Sequence, residues 1–128
     1  MSFDPLTRKQ PDNISLFNPT GPLPFINVVS LSYVPIVRWI YPGSDNVGDI
    51  SAIKALCHVV SGSMSIRVFD FTNSLTICEK TGISNTSPTF HDLGAISNLP
   101  TGQAVFEIHV KGSGGSINTR TGFLSIFW

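Results

Sequence analysis

From Phe25 to Trp128 the apolar residues recur at every second position rather than every third or fourth, a period that confines the chain to strands. Ile53, Ala55, Cys57 and Val59 alternate with Lys54, Leu56 and His58, and Met64, Ile66 and Val68 alternate with Ser65, Arg67 and Phe69. Further runs at Ile26–Leu31, Ile36–Tyr41, Leu75–Lys80, Thr89–Leu93, Gln103–Lys111 and Gly122–Trp128 bring the expectation to about eight strands. Turn-forming residues separate them, at Pro42-Gly43-Ser44-Asp45-Asn46, Ser61-Gly62, Thr72-Asn73-Ser74, Leu99-Pro100-Thr101-Gly102 and Gly112-Ser113-Gly114-Gly115-Ser116. No segment carries a helical period of useful length.

Eight antiparallel strands fit two packed four-stranded sheets, and the jelly roll is the common wiring for that number. The sequence therefore predicts an all-β, eight-stranded antiparallel β-sandwich over residues 25–128, with a jelly roll favoured over an immunoglobulin-like order. The spacing of Cys57 and Cys78 and the place of Trp39 do not match the paired cysteines and core tryptophan of the latter. In the strand before the Gly-rich stretch, Ala104, Phe106, Ile108 and Val110 fall on one face and Val105, Glu107 and His109 on the other, so that strand reads as half buried. The last strand sets Phe123 and Phe127 against Leu124, Ile126 and Trp128, apolar on both faces.

Residues 1–24 read differently. They hold Pro5, Pro11, Pro19, Pro22 and Pro24, whose fixed φ and missing N–H exclude helix and central strand. The segment is expected to be an extended proline-rich arm with too many prolines to join a sheet. Leu6, Leu16, Phe17 and Leu23 are its candidate assembly contacts, either on its own domain or on a neighbouring subunit.

Charge points the same way. Only 12% of the residues are Asp, Glu, Lys or Arg, half the usual share, so much of the outer surface is expected to lie against other protein. Eight basic and eight acidic residues cancel without forming a stripe, which argues against direct nucleic-acid binding. The longest apolar clusters, Leu31 to Tyr41 and Phe123 to Trp128, are too short or too interrupted for a transmembrane helix. The opening residues carry no secretory apolar stretch, so folding in a reducing cytoplasm or nucleus with free thiols at Cys57 and Cys78 is expected, and the acceptor patterns at Asn13 and Asn85 are expected to stay unglycosylated.

The residue types that usually carry chemistry are scattered. His58, His91 and His109 lack the paired spacing of a metal site and read as partly exposed strand histidines. Cys57 has His58 as its neighbour, but consecutive strand residues point to opposite faces, so the thiol reads as a small buried hydrophobe. The Gly112–Ser116 stretch lacks the Gly-Lys-Ser/Thr ending of a phosphate loop and reads as a hairpin tip. Asp70, Glu79, Asp92 and Glu107 are the carboxylates from which a hydrolytic pair would have to come, and each has a plain alternative, Glu79 and Glu107 as cross-strand partners of residues such as Arg67 and Lys80. Asp45, Asn46 and Asp49 offer oxygens for calcium in a loop, in a spacing unlike an EF-hand, and the sequence leaves that question open. No catalytic residue, cofactor or metal site is expected, and the chain is expected not to be an enzyme.

The stretches Ile40-Tyr41-Pro42-Gly43, Ser65-Ile66-Arg67-Val68-Phe69-Asp70-Phe71-Thr72-Asn73-Ser74, Asp92-Leu93-Gly94 and Leu99-Pro100-Thr101-Gly102-Gln103-Ala104-Val105-Phe106-Glu107 resemble short β-sandwich proteins of large DNA viruses. Single jelly-roll structural proteins, minor capsid or penton-type, are the members to which a function attaches. The resemblance runs from about Ile36 to the C-terminus and implies a virion protein made in the host cytoplasm, with other copies of itself and other capsid proteins as partners. The alternative is a carbohydrate-binding or host-recognition module, with Trp39, Tyr41 and Phe69 as an aromatic platform for a glycan. Trp39 sits in a strand expected to have a core face, which weighs against it.

Overall fold

The computed structural model describes residues 12–15 and 26–128, with side chains over 26–113, 118–122 and 124–128. Its strands are β1 (Asp12–Ser15), β2 (Ile26–Val28), β3 (Val34–Tyr41), β4 (Ala52–Asp70), β5 (Leu75–Ile83), β6 (Thr89–Asp92) and β7 (Ala104–Phe127), with one short helical turn, α1 (Ser44–Val47), between β3 and β4. The sequence places breaks at Ser61-Gly62 and Gly112–Ser116, but β4 and β7 pair with each other on both sides of them, at Ser61↔Asn118 and Ser63↔Ser113, so two pairs of expected strands are the long strands β4 and β7. The Gly-rich stretch is therefore a strand corner and not a hairpin tip. Between the pairs Ser61↔Asn118 and Ser63↔Ser113, β7 uses more residues than β4, and that surplus bends the ribbon. Gly62 takes φ 77° at this corner, a left-handed conformation that a side chain resists, which is why a turn residue is found inside a strand.

The bend turns one ladder into two layers. The first half of β4 lies between β6 and the second half of β7, whose other edge pairs with β1 and β2. The second half of β4 lies between β5 and the first half of β7, whose other edge pairs with β3. The first sheet thus runs β2, β7, β4, β6 and the second β3, β7, β4, β5, the strand order of an eight-stranded jelly roll with β1 added beside β2.

Alternation fills the space between the layers. Ile53, Ala55, Cys57, Val59, Leu124 and Ile126 from the first sheet join Met64, Ile66, Val68, Ile77, Phe106, Ile108 and Val110 from the second in one buried cluster. Tyr41 stacks on Phe106 with ring centroids 4.8 Å apart, and Trp39 meets the same ring edge-on at 5.7 Å. Both aromatic side chains of β3 therefore face the core. The segment after β6 closes one side: Leu93 is buried, Ile96 and Leu99 pack on the cluster, and the Ser97 N–H bonds the Ile77 carbonyl. Gly43 secures the α1 loop to this segment, since a Cβ there would meet the Thr101 carbonyl oxygen at 2.3 Å.

The arm needs one correction. Asp12–Ser15 pairs antiparallel with Phe123–Ile126 as an edge strand, so part of the proline-rich segment does belong to the sheet of its own chain. Pro11 and Pro19 flank these four residues without interrupting them, and an edge strand uses only one side of its backbone. The candidate contacts Leu6, Leu16, Phe17 and Leu23 lie outside the described residues.

Candidate functional site on the outer face of the second sheet

Side chains on β7 that face away from Phe106, Ile108 and Val110 stand on the outer face of the second sheet. Strand register orders them into rows. Ile40 of β3 lies beside Val105, whose carbonyl accepts the Phe71 N–H, and Phe71 continues that row past the end of β4. Arg38, Glu107 and Phe69 form the next row, and Pro35, His109, Arg67 and Glu79 the one after it. Tyr33, from the loop between β2 and β3, folds over the third row, its hydroxyl donating to Glu79 Oε2.

These groups are bonded to one another. Arg38 donates to Glu107 Oε2 through Nε at 2.9 Å and also through Nη2. Glu107 Oε1 lies 3.0 Å from His109 Nε2, and Arg67 Nε donates to His109 Nδ1 at 3.0 Å. A guanidinium N–H can only donate, so Nδ1 is the acceptor and the neutral ring carries its proton on Nε2, toward Glu107. The hydrogen bond with His109, above all, holds the Glu107 carboxyl below the usual carboxylate range, with Arg38 adding to it and burial opposing. Burial first, then the bond to Glu79, pushes the Tyr33 phenol well above its ordinary range.

The rings of the face are covered by cations. Arg67 lies 4.1 Å from the Tyr33 ring centre and 4.7 Å from that of Phe69, Lys111 Nζ lies 4.6 Å from Tyr33, and Arg38 lies 4.8 Å from Phe71. His109 stacks on Phe69 at 5.0 Å. The first row is different in kind. Ile40 is 59% exposed and Phe71 53%. Elsewhere Val29, Leu31, Val60 and Phe90 are also large apolar side chains in water.

The residues singled out from sequence do not gather here. Trp39, Tyr41 and Phe69 do not form a platform, because Tyr41 is buried with its hydroxyl bonded to the Gly48 carbonyl, Trp39 packs on Phe106, and Phe69 lies on the opposite face. Asp45 and Asn46 lie in α1, with Asn46 Nδ2 donating to the Pro42 carbonyl, and Asp49 follows it. Among the described residues no three His, Cys, Asp or Glu side chains come together as a metal ligand set. His58 and His109 are buried rather than partly exposed, the second beneath Tyr33, Phe69 and Arg67, while His91 is half-buried against Asn85 Oδ1 at 2.6 Å. Cys57 and Cys78 are buried free thiols, and burial pushes both up to about 12. The four carboxylates are separately engaged: Asp70 accepts from the Asn73 backbone and side chain, Asp92 from the Gly94 N–H, Glu79 from Tyr33, and Glu107 from Arg38 and His109. Glu79 does lie opposite Arg67, whereas Glu107 bonds Arg38. Asn85, in the second acceptor pattern, spends its side-chain N–H groups on the Cys57 and Ser87 carbonyls.

Alternation along β4 and β7 already puts Arg67, Glu107 and His109 on outward faces, so three members of the network were available to sequence reasoning. Arg38 and Tyr33 required the register of β3 and the path of its loop.

The chain matches no protein-family model and no curated protein. It is similar in structure to the carbohydrate-binding module CBM36 in complex with calcium and xylotriose, with a TM-score of 0.57 and 10% identity over 93% of each chain. It is also similar to the infectious bursal disease virus VP2 subviral particle protein, with a TM-score of 0.47 and 10% identity over 94% of this chain and 33% of that one. At such identities the first likeness shows the jelly-roll fold alone.

Proposed function

We propose that this chain is a non-enzymatic jelly-roll structural protein that acts by assembling with copies of itself and other subunits, as a minor capsid or penton-type component of a virion. The observation that carries the reading is the division of the outer face. Arg38, Arg67, Glu107 and His109 bond one another, while Ile40 and Phe71 in the neighbouring row keep more than half of their surface in water, Phe71 with Arg38 over its ring. Covering the exposed half of such side chains contributes on the order of 1 kcal/mol each. The scarcity of charge across the whole chain leaves apolar and backbone contacts as the main means of association. Sedimentation of the purified chain over a concentration series tests this: association that grows with concentration and changes little with added salt supports it, and a monomer at all concentrations, also absent from any larger particle, overturns it.

A second reading, glycan binding, draws on Tyr33, Phe69 and Phe71 sharing one outer face of a jelly-roll sheet and on the sugar-bound module of like fold. A sugar ring stacks on an open aromatic face, and here cations occupy those rings, so glycan binding takes second place. A glycan array separates the two.

A further inference from the structure

We infer that His109 is a proton-operated latch, which in its neutral form holds Arg67 away from Glu79 and so keeps the Val29–Tyr33 loop fastened to the second sheet. The groups around the ring come from every neighbouring element: Arg38 on β3, Arg67 on β4, Glu79 on β5, Glu107 and Lys111 on β7, and Tyr33 from the loop. In the neutral state each has a distinct task. Arg67 donates to Nδ1, Nε2–H faces Glu107, and Glu79 is left to accept the Tyr33 hydroxyl.

A second proton can go only to Nδ1, because Nε2 already carries one. That nitrogen then faces the Arg67 Nε at 3.0 Å as donor against donor and cation against cation, an arrangement the pair cannot keep. The bond to Glu107 survives and becomes charge-assisted, so the imidazolium stays and the guanidinium leaves. Arg67 has an acceptor within reach: Glu79 lies directly opposite it across the β4–β5 ladder. Turning to Glu79 sets a charged donor in competition with the Tyr33 hydroxyl for that carboxylate and removes Arg67 from the Tyr33 ring.

Tyr33 anchors one end of a loop whose Ser30 carbonyl accepts the Gly112 N–H and whose own turn is closed by the Ser30–Ser32 bonds. The loop also carries Val29 and Leu31, 65% and 67% exposed. Any effect of the latch on association rests on the assembly reading; the latch itself does not.

Heteronuclear NMR on the full chain over a pH series from about pH 8 to about pH 5 reads the latch directly. Towards the acid end the Arg67 Nε–H resonance should move as its acceptor is lost. Exchange of the Gly112 and Ser32 amides, corrected for intrinsic rates, should rise about tenfold, the consequence of losing one anchoring bond. His109→Gln offers an amide oxygen to Arg67 and an N–H to Glu107, and should hold the closed state throughout this range. Tyr33→Phe leaves the imidazole untouched and should show the faster exchange already at the alkaline end. Identical pH responses in His109→Gln and the native chain overturn the proposal, as does slow, native-like exchange in Tyr33→Phe. Sedimentation of the same samples reports association separately: loop opening without a change in mass upholds the latch and counts against the loop as an assembly contact.

Discussion

The two faces of the first half of β7 are built from consecutive residues and obey different physics. Phe106, Ile108 and Val110 face the other sheet and are sealed from water; Glu107, His109 and Lys111, one residue along, face outward, the first two bonded to each other and Lys111 set over the Tyr33 ring. Glu107 and His109 are nearly as buried as their apolar neighbours, at 4% and 8% exposure. Burial alone does not separate the faces; the kind of partner does. Packing of the inner face does not depend on protonation and decides whether the chain folds. The outer network depends on which groups carry protons and decides what the surface presents.

The comparison breaks first at Phe106. Phe106→Ala removes the ring that Trp39 and Tyr41 both contact, and the expected loss is about 3–5 kcal/mol, with a large fall in Tm. A loss no greater than that of an outer-face variant would show that the inner face is not the core of stability. Glu107→Gln keeps the shape but removes the charge shared by Arg38 and His109, and is expected to cost about 1–2 kcal/mol, with Arg38's exposure limiting the effect. Chemical denaturation of the two variants side by side sharpens the contrast.

Acid should act more gently and by a defined sign. Burial chiefly, with Arg120 near His58 and Lys80 near His91, lowers both histidines below their unfolded values. The unfolded chain then binds protons first as pH falls, so these residues cost stability from the ordinary imidazole range downward to their folded values. Glu107, also lowered, contributes stability above the ordinary carboxylate range, which is lost only as pH falls through its folded value. Denaturant midpoints should decline in two stages, and His58→Gln with His91→Gln should flatten the first; an unchanged first stage would assign it to other groups.

Much of this was legible in the alternation. The inward set on β4 and β7 and the two-layer architecture follow from period two, because one face of each strand must avoid water. The continuity of β4 and β7 was not legible, since Gly62 and Gly112 mark a corner as readily as a turn, and only pairing across the ladder tells them apart. The strand at Asp12–Ser15 was hidden by the prolines around it. The alternative platform of Trp39, Tyr41 and Phe69 fails for the reason its strand implied, a core face, which Trp39 and Tyr41 share against Phe106. Tyr33 was invisible for another reason: its role depends on a loop that brings it to Glu79, far away in sequence.

The smallest expected effect on stability carries the largest consequence for function. Ile40→Ser with Phe71→Ser alters two exposed side chains, Phe71 with Arg38 over its ring, and should change the unfolding free energy by about 0.5 kcal/mol per site. Sedimentation of this double variant against the native chain, at matched concentration and at low and high salt, tests the central claim most directly. The native chain should associate at both salt levels, and the folded variant's association should be lost or weakened at least about tenfold, as removal of apolar contact area requires. Equal association of the two chains, or a native chain that remains monomeric throughout, would contradict it.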